Sequence, residues 1–92
     1  MAAQNSGPLM GIRVLDLSTV IAAPFGATLL GDFGAEVIKT ELPGKWDPLR
    51  NLGPYHQGEG LRWPGLARNK KSLTLDLHKE EGKKILRKLV AK

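Results

Sequence analysis

Few side chains in this sequence are spaced for covalent chemistry. The carboxylates include Asp16, Asp32, Glu36, Glu41, Asp47, Asp76, Glu80 and Glu81, and none has a convincing nucleophilic or basic partner nearby. Ser18 and Thr19 lack a paired base in sequence, and His78 falls at a helix entry. His56 and His78 stand alone, without metal-ligand spacing, and a chain without cysteine has no thiolate site and no disulfide. The most suggestive segment is instead a loop of small residues, Ser18 to Gly26. Ala22, Ala23 and Gly26 leave room for a ligand to approach the backbone. A helix N-terminus at that point offers free N–H groups and partial positive charge, suited to phosphate or carboxylate. An ordinary packing turn fits the same residues equally well. Gly26, Gly31 and Gly34 do not make the dinucleotide fingerprint, although Glu41 stands about where such folds place a ribose-binding acid. No P-loop is present. The basic segment Ala67 to Ser72 reads either as a solvated turn or as a phosphate-facing corner, with Lys70 and Lys71 as point charges.

The loop requires a strand before it and a helix after it. Ile12 to Leu17 is a near-continuous apolar run, which predicts a strand buried on both faces. Pro24 is suited to a first helical turn, so a helix is expected from about Ala23 to Phe33. Phe25, Leu29, Leu30 and Phe33 form its apolar stripe, and Gly34 is placed to end it. Glu36 to Thr40 predicts a second strand, completing a parallel βαβ unit. Residues 41–66 carry many prolines and glycines and read as one long loop, in which Trp46, Tyr55 and Trp63 are unexpected. Ser72 to Leu77 alternates and predicts a third strand, with Leu73, Leu75 and Leu77 on one face. A last helix is expected over about Lys79 to Ala91, burying Ile85, Leu86, Leu89 and Val90.

Composition sets the outer limits. The 92 residues, 41% hydrophobic and 25% charged, suffice for one small domain. Residues 1–7 read as a disordered lead-in without signal- or transit-peptide character, and residues 8–92 as the folded part. The longest apolar stretch, Val20 to Leu30, is far short of the ~20 residues that span a bilayer. A cytoplasmic protein without a membrane segment is expected. The net charge of +5 suggests an anionic partner, with nucleic acid, a phosphorylated cofactor and simple solubility all open.

Five segments in order resemble the N-terminus of the class III CoA-transferase family (CaiB/BaiF, formyl-CoA transferase-like). They are Pro8-Leu-Met-Gly-Ile-Arg-Val-Leu-Asp-Leu-Ser18, Ala22-Ala-Pro24, Leu30-Gly-Asp-Phe-Gly-Ala-Glu-Val-Ile-Lys39, Asp47-Pro-Leu-Arg50, and Arg68-Asn-Lys-Lys-Ser-Leu-Thr-Leu-Asp-Leu77 with Glu81-Gly82. The resemblance implies the Rossmann-like α/β start of a large domain, incomplete in this chain. It implies transfer of coenzyme A from an acyl-CoA donor to a carboxylate acceptor through an aspartyl intermediate, without a metal, in an interlocked homodimer. The family's contacts with CoA fall on Ile21 and Ala22 at the first loop, on Leu42 after the second strand, and on Leu75, Asp76, Leu77 and His78 around the third. Some members have glutamine where Ile21 stands, arginine where Leu42 stands, and often lysine where His78 stands. The family's catalytic aspartate corresponds to no residue of this chain, so the expectation is an N-terminal piece that binds CoA weakly and is inactive by itself. A 2-methylacyl-CoA racemase shares the fold and is the alternative activity; a small basic nucleic-acid-binding module is the alternative of another class.

Overall fold

The structure, a computed structural model, describes residues 7–92. Of the expected lead-in over residues 1–7, all but Gly7 lies outside the described residues. Strand β1 (Arg13–Asp16), helix α1 (Ala22–Asp32) and strand β2 (Glu36–Glu41) form the expected βαβ unit. β1 and β2 run parallel, with Val14 opposite Val37 and Asp16 opposite Lys39. Gly34 takes the left-handed conformation (φ 106°) just past α1. Its N–H donates to the Gly31 carbonyl at 3.0 Å and that of Ala35 to Leu30 at 3.1 Å, the paired bonds of a Schellman cap.

The stretch expected to be one long loop is folded. A 3-10 helix occupies Pro48–Asn51, followed by a hairpin of β3 (Tyr55–His56) and β4 (Glu59–Gly60) and by helix α2 (Arg62–Ala67). Gln57 and Gly58 both have positive φ, which gives the hairpin the turn that suits strand twist. Strand β5 (Lys70–Thr74) then pairs in parallel with β2, so the sheet order is β1-β2-β5 with β2 central. β5 begins two residues before the expected strand. The Leu75 N–H still reaches the Glu41 carbonyl at 2.9 Å. Beyond it the Asp76 carboxylate accepts the His78 N–H at 2.9 Å and turns the chain into helix α3 (Glu80–Val90).

Three apolar runs differ from expectation. Phe25, Leu29, Leu30 and Phe33 lie on the outside of α1, whereas Pro24, Ala27, Thr28 and Gly31 are buried. Small residues face inward because the helix sits close to the sheet: a Cβ at Gly31 would come within 3.2 Å of Val37 Cγ2. The core there is accordingly small, Ala27, Ala35 and Val37 with Leu9 and Val14 against them. On α3, Ile85 (47% exposed) and Val90 (69%) are not buried, and Leu86 and Leu89 are only partly so. What α3 buries is Gly82, set against the Asp76 backbone. β1 is shorter than expected, and Ile12 and Leu17, which flank it, are exposed instead of covered on both faces.

Candidate functional site

The carboxyl ends of the parallel strands carry a connected set of buried charges. Lys39 stands in the central strand with its side chain 4% exposed. An ammonium taken out of water must be paired. Its Nζ donates to Asp47 Oδ2 at 2.7 Å and to the Ser18 carbonyl. Asp47 is the cap of the 3-10 helix that Pro48 opens, and its Oδ1 accepts the Leu49 N–H at 3.0 Å. The same oxygen accepts the Val20 N–H at 2.9 Å across 27 residues of chain. Val20 sits at φ 68°, a left-handed conformation that is unfavourable for a β-branched residue.

The network extends in two directions. The Asp47 N–H donates to Glu41 Oε2 at 2.7 Å, and the Arg50 guanidinium grips both Glu41 oxygens at 2.9 and 2.7 Å. The guanidinium lies 3.9 Å from the Trp63 ring centroid and 5.5 Å from that of Trp46. These two indoles, unexplained in a free loop, are a cation–π seat. On the other side, Lys70 Nζ donates to Asp16 Oδ2 at 2.7 Å and to the Pro24 carbonyl at 2.8 Å. Lys70 is therefore a buried ion-pair partner, not a phosphate-facing charge, and Lys71 pairs on the surface with Glu36 at 2.5 Å. Burial pushes the Asp16 and Asp47 carboxyls up, but hydrogen bonds from Lys70 and Ser18, and from Lys39, Leu49 and Val20, hold them below the usual carboxylate range. The Arg50 guanidinium holds Glu41 down against its own burial.

Above this network lies an open cleft of about 560 Å³. That volume is within the roughly 300–1,000 Å³ of small-molecule sites, and it lies where open α/β sheets bind ligands. Leu17 and Thr19 after β1 form one wall, and Lys45, Trp46 and Pro48 another. Its floor is the end of β2, and Leu75, Leu77 and His78 close it after β5. Leu42, Leu75, Leu77 and His78 are thus brought together from the residues singled out in sequence. Asp76 lies outside the lining, its carboxylate engaged with the His78 N–H and 3.3 Å from the His78 ring. Ile21 caps the start of α1 without a side-chain cap bond and Ala22 is its first residue; both are exposed and neither lines this cleft. Lys45 and Trp46 gave no sequence signal beyond the aromatic oddity of the loop. Lys39 and Asp47 each had one: a lysine inside an apolar strand, and an aspartate before proline at a helix start. Among the described residues no three His, Asp or Glu side chains gather as a metal site, and no helix is long and apolar enough to cross a membrane.

A parallel sheet with helices and a cleft at its carboxyl ends puts the chain in the α/β class. The profile of CoA-transferase family III matches residues 9–92, and the chain belongs to that family. It is 54% identical over 84 residues to succinyl-CoA–D-citramalate CoA-transferase of Chloroflexus aurantiacus, a match covering 90% of this chain and 21% of that protein. It is 44% identical over 88 residues to human succinyl-CoA:glutarate CoA-transferase, covering 95% of this chain and 20% of that one. Among solved structures, a CaiB/BaiF family protein from Brucella suis superposes with a TM-score of 0.80 at 37% identity, over 92% of this chain and 24% of that one. The chain thus spans about a fifth of the length of the curated relatives it matches.

Proposed function

We propose that this chain is the CoA-binding corner of an acyl-CoA:carboxylate CoA-transferase, with the cleft holding the adenosine end of the CoA thioester. The observation that carries this reading is the convergence of Leu42, Leu75, Leu77 and His78 on one cleft in a chain of this family. The lining has the right chemistry for that ligand. Leucines give the lining its apolar surface, Trp46, 52% exposed, offers a face for a purine, and Lys45 offers a cation for phosphate. Ile21 and Ala22, at the neighbouring corner, are assigned backbone contacts with the rest of the cofactor. The relatives named above take succinyl-CoA, which makes a succinyl donor and a dicarboxylate acceptor the first pair to assay. On this reading transfer runs through an aspartyl intermediate, and Asp16 and Asp47, each committed to a buried ion pair, are not free to form it.

Titration of the chain with coenzyme A, followed by tryptophan fluorescence and calorimetry, tests the reading. Saturable binding is expected, weakened about tenfold by Trp46→Ala, since a base stacked on an aromatic ring is worth roughly 1–3 kcal/mol. Succinyl transfer by the chain alone should be absent. No binding at millimolar CoA, or turnover by the chain alone, would each refute a stated part of the proposal.

A further inference from the structure

The Lys39–Asp47 pair does more than neutralise itself, because each partner also holds the β1–α1 loop. Lys39 Nζ donates to the Ser18 carbonyl, and Asp47 Oδ1 accepts the Val20 N–H at 2.9 Å. Asp47 at the same time caps the 3-10 helix through Leu49 and is fixed to Glu41 through its own N–H. Leu17 and Thr19, beside the held residues, line the cleft from the β1–α1 loop, and Lys45, Trp46 and Pro48, around Asp47, line it from the segment after β2. The pair is therefore the tie between the two walls. The unfavourable φ of Val20 is the sign that the loop is held in place and does not merely rest there. From this geometry we infer that Asp47, paired with Lys39, is a positioning residue that sets the width of the cleft by pinning the β1–α1 loop at Ser18 and Val20. The inference rests on the CoA reading for its ligand, but not for the tie itself.

The tie and the ligand are separable by experiment. Asp47→Ala removes both the acceptor for Val20 and the partner of Lys39. Asp47→Asn retains an oxygen for Val20 but not the charge. Leu49→Ala is the control, since Leu49 is fully buried nearby and its side chain carries no polar contact with the loop. Amide hydrogen exchange of the ligand-free chains reads the tie, and coenzyme A titration reads its consequence. In Asp47→Ala, Val20 and the first-turn amides of α1 should exchange at least tenfold faster while Val37 and Lys39 amides hold. CoA affinity should fall about tenfold or more, with Asp47→Asn intermediate. Leu49→Ala, compared at matched loss of melting temperature, should leave both readouts near wild type. Unchanged exchange at Val20 in Asp47→Ala overturns the inference, as does equal loss of affinity in Leu49→Ala. If the wild-type chain binds no CoA while Val20 exchange still accelerates in Asp47→Ala, the tie stands and the CoA reading falls.

Discussion

Lys70 and Asp16 show what a single buried pair contributes at the residue scale. Their side chains are 3% and 1% exposed, and they join the first residue of β5 to the last residue of β1 across β2. Removing one partner leaves the other charge buried without its counterion, which typically costs about 3–5 kcal/mol. Lys70→Met should therefore lower the free energy of unfolding by about that amount, measured by urea titration. Removing both charges in Asp16→Asn with Lys70→Met should recover most of the loss, because no charge is then left buried without its counterion and the amide oxygen introduced by Asp16→Asn can still accept from Ser18. A Lys70→Met chain as stable as wild type would show that Asp16 is solvated in solution. Lys71, one residue on, makes the contrast: its pair with Glu36 is exposed, and its loss should be worth no more than about 1 kcal/mol.

At the scale of elements, α3 is placed by a contact that has no side chain in it. A Cβ built on Gly82 would lie 1.9 Å from the Asp76 carbonyl oxygen, so alanine cannot occupy the position without moving the helix. Gly82→Ala, which favours an isolated helix by about 1 kcal/mol, should here lower the melting temperature and shift the His78 resonances at the cleft mouth. A neutral or stabilising effect would mean that α3 is not docked through Gly82. The same element scale separates what was legible in the sequence from what was not. The βαβ unit was legible because Pro24, Gly34 and the apolar runs each favour the local structure they adopt. The 3-10 helix, the two-residue strands and α2 were not, since they are too short for periodicity and α2 contains Pro64 and Gly65. The apolar stripe of α1 was legible as a stripe, but not in its direction. Packing distance to Val37 decides that, and it is the small residues of the helix, Ala27 and Gly31 among them, that fit inward. In the cleft, Leu75, Leu77 and His78 were found through resemblance. The joint role of Lys39 and Asp47 was not, because each has only a weak local signal and Asp47 meets Val20 across 27 residues, which leaves no spacing to read.

At the scale of the molecule, the ion pairs join elements that the small apolar core joins only in part. Asp16 links β1 to β5, Glu41 links β2 to the 3-10 helix, and Asp47 links both β2 and that helix to the β1–α1 loop. All three carboxyls are held below their ordinary values of 3.8 for aspartate and 4.5 for glutamate. A carboxyl whose folded value is depressed contributes stability that is fully present above its unfolded value and is lost as pH falls through the folded one. The melting temperature of the chain should therefore be nearly flat from pH 7 to about 5 and fall steeply from about pH 4 downward. Because the Lys70–Asp16 and Lys39–Asp47 pairs are buried, added salt should change their contribution little, whereas the exposed Arg68–Asp32 and Lys71–Glu36 pairs should be screened. Lys70→Met should move the onset of acid unfolding to higher pH, since Asp16 then loses the hydrogen bond that opposes its burial. Calorimetric scans of wild type and Lys70→Met between pH 2 and 7 check this, and coincident onsets would show that the network does not govern acid stability.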